Sequence, residues 1–116
     1  MDYLIMPVER IVLPCNNGFT MMEQRRVLWL QSDGNYSWAH FCDGFKSMLP
    51  CTLKHLESRL LPADFYRIHH QYLVNLHHLL RYEKKNGGWV VLSDGTTLPV
   101  SRSRKRLFLM KAHQFH

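Results

Sequence analysis

Short apolar or alternating runs, broken at close intervals by turn-forming dipeptides, run through most of the chain and predict a mainly β domain. Asp33-Gly34, Asp43-Gly44, Asn86-Gly87-Gly88 and Asp94-Gly95 supply the residue types that tight turns with positive φ require. Between them, residues 27–31, 36–41, 45–49, 89–92 and 97–100 read as strands. An earlier pair, over 4–13 and 19–22, is joined by Cys15-Asn16-Asn17-Gly18. Arg67 and His69 alternate with Tyr66 and Ile68, so as a strand they would share one face. Two segments follow another period. Residues 52–61 place Leu53, Leu56, Leu60 and Leu61 at helical spacing, with Thr52 as N-cap and Pro62 as the stop. Residues 101–113 lack Gly and Pro and begin with serines able to cap a helix, with Leu107, Phe108 and Met110 as its anchors.

The length of 116 residues accommodates one domain with one core, and 46% hydrophobic against 21% charged residues is a globular balance. No stretch approaches the roughly 20 apolar residues of a membrane span. Met1-Asp2-Tyr3 has none of the features of a signal peptide. The expectation is a soluble, cytoplasmic chain. Cys15, Cys42 and Cys51 are odd in number and form no CxxC pair, which predicts reduced and mostly buried thiols. Trp29, Trp38, Trp89, Phe41 and Phe45 are assigned to core and sheet packing.

Charge changes this picture more than composition does. The net charge is +6, and it is lopsided: residues 1–50 carry four Lys/Arg against five Asp/Glu, residues 51–116 eleven against four. Arg102, Arg104, Lys105, Arg106 and Lys111 occupy the last stretch with no acid among them. A one-sided basic surface is the electrostatic footprint of a polyanion binder. A solvated helix face explains the same residues equally well. Four of these cations crowd the start of the second helix, where the macrodipole disfavours positive charge by a few tenths of a kcal/mol each, and an anionic partner would neutralise them.

The residues then resemble a family. Trp29-Leu-Gln-Ser-Asp-Gly-Asn-Tyr36, Asp43-Gly44, the helix Thr52-Leu-Lys-His-Leu-Glu57, Phe65-Tyr-Arg-Ile-His-His-Gln-Tyr-Leu-Val-Asn75, Val91-Leu-Ser-Asp-Gly95 and Leu98-Pro-Val-Ser-Arg-Ser-Arg-Lys105 are similar, in order and spacing, to the LytTR-type DNA-binding domain. The likeness runs from about residue 10 to residue 111. It implies an elongated fold of short antiparallel strands, with one amphipathic helix on the sheet and a basic C-terminal helix. It also implies the output role of a bacterial response regulator, in which loops and strand ends, not a recognition helix, approach double-stranded DNA. The family's modules usually follow a receiver or membrane domain, which residues 1–116 do not contain, so the chain is either free-standing or part of a longer regulator.

Carried over position by position, the resemblance implies base contacts from Asn35 and Tyr36, in the turn that ends with Ser37, from His70, and from Arg102 just after Ser101. Ser37, Arg67, His69, Gln71, Ser101, Arg104, Lys105 and Arg106 are the expected backbone contacts. His70 and Gln71 stand where the family often has a basic residue and Ser, which leaves the preferred base open. The chemistry fits independently: an arginine fork matches guanine O6/N7 or a phosphate, and each good bidentate base contact contributes about 1–3 kcal/mol of discrimination. Asn35 after Asp33-Gly34 serves equally well as a turn residue, and Asn75 is read as structural, bonding backbone after Leu73-Val74.

No catalytic constellation, metal site, cofactor or small-molecule substrate is evident. The doublets His69-His70 and His77-His78 would face opposite ways in a strand, and each of Asp33, Asp43 and Asp94 precedes a glycine, where turn geometry accounts for it. The expected partner is therefore duplex DNA with tandem half-sites, with self-association on it open. The alternative is a small basic β module that docks on a protein partner or on single-stranded nucleic acid.

Overall fold

The computed structural model describes residues 9–115, so residues 4–8 of the first expected strand lie outside the described part. Within it the chain forms β1 (Arg10–Cys15), β2 (Gly18–Glu23), β3 (Val27–Asp33), β4 (Tyr36–Phe41), β5 (Lys46–Leu49), α1 (Leu53–Arg59), β6 (Phe65–His69), β7 (Tyr72–Asn75), β8 (Leu79–Glu83), β9 (Trp89–Leu92), β10 (Thr97–Pro99) and α2 (Lys105–Gln114). β1 and β2 make a hairpin. β5-β4-β3-β7-β6 form a five-stranded sheet, β10-β9-β8 a three-stranded one, and every pairing is antiparallel.

The five-stranded sheet is the middle layer. On one face Leu30, Ala39, Phe65 and Leu73 pack against Leu53 and Leu56 of α1, Leu60 just after it and Leu13 of the hairpin. On the other, Leu28, Trp29, Ile68 and Val74 meet Val90, Leu92 and Leu98 of the small sheet and Phe108 of α2. Each fully buried aliphatic or aromatic side chain here contributes about 1.5–3 kcal/mol relative to exposure. A bulge in β3 between Val27 and Trp29 turns Leu28 and Trp29 to the same side, which is why two successive residues serve one cluster.

Local signals fix the element ends. The His55 N–H donates to Thr52 Oγ1 at 3.1 Å, the expected N-cap of α1. Asp43 and Asp94 accept from the Phe45 and Thr96 N–H groups two residues on, the side-chain turns that their positions before glycine predicted. Asn75 is fully buried: its Nδ2 donates to the Gln24 and Val27 carbonyls and its Oδ1 accepts from the His77 N–H, so it ties the end of β7 to the start of β3.

Several expectations are corrected. β8 carries no turn signal ahead of it and no alternating pattern, and it forms because β9 offers it a partner. Residues 102–104 make a 3-10 turn before α2, and Ser101 does not cap it: its Oγ is buried with no hydrogen-bond partner among the described residues. Phe108 is the buried anchor of α2, whereas Leu107 and Met110 are about half exposed. Phe45 stands 73% exposed and Leu61 63%, so neither belongs to the core. Cys15 and Cys42 are exposed as free thiols, while Cys51 is half-buried and burial pushes its thiol pKa up. No helix of the described residues is long and apolar enough to cross a membrane.

Candidate nucleic-acid interface

Antiparallel pairing sends two turns to the same end of the five-stranded sheet. β3 ends at Asp33 and returns as β4 through Gly34-Asn35; β6 ends at His69 and returns as β7 through His70-Gln71. β3 and β7 are neighbours, so the turns lie side by side, and the Ser32 N–H donates to the Gln71 carbonyl at 2.9 Å to join them. Gly34 takes φ +61°, a conformation that glycine adopts freely. The Trp38 Nε1–H donates to Asp33 Oδ2 at 2.9 Å and braces the first turn. The third segment arrives from the small sheet. The Ser101 N–H donates to the Ile68 carbonyl at 2.8 Å, which sets Arg102 next to the end of β6.

The fold thus brings Asn35, His70 and Arg102 from three distant parts of the chain to one edge. Asn35, Tyr36, His70, Gln71 and Arg102 are exposed there, Arg106 is exposed on α2, and His69, Arg104 and Lys105 are half-buried. Arg104 lies close enough to His69 to act on its charge, which links the basic segment to the β6–β7 turn.

Other expected contacts are placed differently. Ser37 is fully buried, and its hydroxyl donates to the Cys51 carbonyl at 2.9 Å, so it pins the β5–α1 connection and is no backbone contact. The Ser101 hydroxyl is likewise buried; the residue acts through its backbone. Arg67 and His69 do not share a face. A bulge between them pairs Arg67 with Leu73 but His69 with Tyr72, and consecutive residues of β7 point to opposite sides. Arg67 therefore turns toward α1, where its Nη1 meets Glu57 Oε1 at 2.7 Å and its side chain is only 13% exposed. His69 turns to the opposite face, its ring 5.0 Å from Tyr72.

The same bulge and turn bring the His69 and His70 rings to 4.7 Å, stacked, where an unbroken strand would have separated them. His69 Nδ1 accepts from the Gln71 N–H at 3.1 Å, closing the turn with a neutral ring. Burial, then the neighbouring His70, Arg104 and Arg67, hold its pKa below the ordinary value. Further along the same sheet face, His40 stacks on Trp29 at 3.9 Å and pairs with Gln31 at 2.9 Å. Burial and Lys46 lower its pKa while Asp94 raises it. Glu57 was not singled out from the sequence; its place beside the buried Leu56 on α1 was legible, but not the arginine opposite. No group of three or more His, Cys, Asp or Glu capable of holding a metal occurs among the described residues.

The sequence model of the LytTr DNA-binding domain family matches residues 17–112. The chain is 36% identical over 81 residues to the CO-responsive transcriptional regulator RcoM of Rhodospirillum rubrum, covering 67% of this chain and 34% of that protein. It is 34% identical over 96 residues to the transcriptional regulatory protein BtsR of Escherichia coli, covering 78% of this chain and 38% of BtsR. The chain thus spans little more than a third of the length of these relatives. The LytTr DNA-binding domain of a Bacillus cereus response regulator superposes with a TM-score of 0.74 at 19% identity, over 91% of this chain and 97% of that one, which speaks to fold alone. With a matching family model over most of the chain and a matching architecture, this protein belongs to the LytTR DNA-binding domain family.

Proposed function

We propose that the chain binds double-stranded DNA sequence-specifically and acts in bacterial transcription control, with the turn edge of the five-stranded sheet as its reading surface. The observation that carries this reading is the convergence of three exposed segments, Asn35-Tyr36, His70-Gln71 and Arg102, on one edge. Asn35, Tyr36, His70 and Arg102 are the base-reading side chains, with Arg102 the strongest because its fork matches guanine. Gln71, His69, Arg104, Lys105 and Arg106 hold phosphates and set register without reading sequence. The cations at the start of α2 supply the salt-sensitive share of affinity: the first turn of that helix holds no acid to offset them. On this reading the three segments enter successive grooves of one duplex, and two copies occupy tandem half-sites.

The test is selection of bound duplexes from a random pool, followed by competition of the enriched site against random duplex at several salt concentrations. The expected outcome is a defined, repeated motif, with affinity falling steeply as salt rises. Binding every duplex equally, or preferring single strands, overturns the reading.

A further inference from the structure

Arg67 has the residue type of a phosphate contact and the surroundings of a brace. All three of its guanidinium nitrogens are engaged inside the protein. Nε donates to the His69 carbonyl at 2.8 Å, Nη2 donates to the His70 carbonyl, and Nη1 meets Glu57 Oε1 at 2.7 Å. Glu57 is fixed in turn by α1, whose Leu53 and Leu56 are sunk in the core beneath it. The planar fork of arginine is suited to holding several acceptors at once in a set geometry, which the flexible ammonium of lysine is not. One side chain thus connects the helix on one face of the sheet to the carbonyl oxygens of two successive residues in the turn at its edge.

Those carbonyls determine how the turn leaves β6. The register shifts between Arg67 and His69, so regular pairing does not run unbroken into the turn, and His70 lies beyond the last ladder pair, His69 with Tyr72. Arg67 grips the turn from the α1 side, while the His69 ring closes it from the other by accepting the Gln71 N–H. We propose that Arg67 is a positioning residue for sequence readout: held by Glu57, it fixes the turn backbone and with it the direction in which the His70 imidazole meets the DNA. This rests on the duplex-reading function proposed above. It replaces a charge contact with a geometric one, and the two make opposite predictions. A phosphate contact contributes to affinity for every duplex and to the salt dependence; a brace contributes only where His70 reads.

The experiment takes the duplex enriched by selection and measures competition against random duplex and against single-base variants of the site. It does so at several salt concentrations, for wild type, Arg67→Lys, Arg67→Ala, Glu57→Gln and His70→Ala. Arg67→Lys keeps the charge and loses the fork. Its selectivity is expected to fall about tenfold or more, with the loss confined to the base pairs that His70→Ala also affects. The salt slope should stay at the wild-type value, whereas removing a phosphate contact lowers it by about one. Glu57→Gln is expected to give a smaller loss at the same base pairs, and Arg67→Lys combined with His70→Ala no more than His70→Ala alone. Should Arg67→Ala fail to fold, the Lys and Gln variants still decide. Wild-type selectivity in Arg67→Lys, or a uniform loss across all duplexes with a reduced salt slope in Arg67→Ala, overturns the brace and leaves the duplex-reading function standing. A wild-type domain that prefers no duplex removes both.

Discussion

Two of the segments at the turn edge of the five-stranded sheet are built in opposite ways. The β6–β7 turn is tied down from every side: Arg67 grips its carbonyls, the His69 ring accepts its Gln71 N–H, and Ser32 donates to its Gln71 carbonyl. The Arg102 segment is fastened at Ser101 N to the Ile68 carbonyl, and beyond that through Phe108, one turn further into α2. The first is polar and preorganised; the second is cationic, and Phe108 is the one fully buried side chain of its helix, with Leu109, Ala112 and Phe115 packed against the same cluster. Preorganisation favours readout, because a side chain already held in place loses little freedom on binding. Loose cations suit phosphates, which attract from any direction and need no fixed geometry.

The largest expected effect breaks the second segment at its root. Phe108→Ala leaves a cavity between the two sheets and is expected to cost about 3–5 kcal/mol of stability by denaturant unfolding. Backbone amide signals of residues 69–71 should move less than those of 101–106. Arg102→Ala is expected to lower the preference for the selected site by about 1–3 kcal/mol without changing the unfolding midpoint, which separates its contact from its anchor. Removal of the turn-closing ring by His69→Ala is expected to cost about 1 kcal/mol, read as faster amide exchange at Gln71.

The pH dependence sharpens the same contrast. His69 and His40 have folded pKa values below the ordinary one of about 6.5. As pH falls through that value the unfolded chain takes up protons first. Their contribution to stability is therefore present at neutral pH and lost on acidification toward the folded values. The slope of stability against pH below about 6.5 should be shallower in His69→Ala; an unchanged slope would assign it to His40 alone. The smallest expected effect is on binding by Ser37→Ala. Loss of one buried hydrogen bond costs about 1 kcal/mol of stability, while duplex affinity measured by anisotropy stays at the wild-type value, unlike that of its exposed neighbours Asn35 and Tyr36.

Much of the architecture was legible in the sequence because its signals are local. Aspartate-glycine pairs make turns through their own side chains and backbone freedom, Thr52 caps α1 through an atom three residues away, and Leu53, Leu56 and Leu60 mark a buried stripe. The convergence of the turn at Asn35 with that at His70 is not such a local signal: it needs β3 to pair with β7, a contact between distant parts of the chain. The exposure of Phe45 and Leu61 and the burial of Ser37 were not legible, since apolar or polar character alone does not say what lies opposite.

What the sequence by itself determined is the set of strands, caps and turns, the basic character of the C-terminal stretch and, through ordered motifs, the family. Only the tertiary structure decided which way the polar side chains at the edge face. Alternation assigns Arg67 and His69 to one side, and a single bulge between them sends one to α1 and the other to Tyr72. The physical reason is that a bulge arises from pairing between strands, where β6 must meet both β7 and the Ser101 segment. That constraint is written in no short window of residues, yet it separates a side chain that faces α1 from one that faces the opposite side of the sheet.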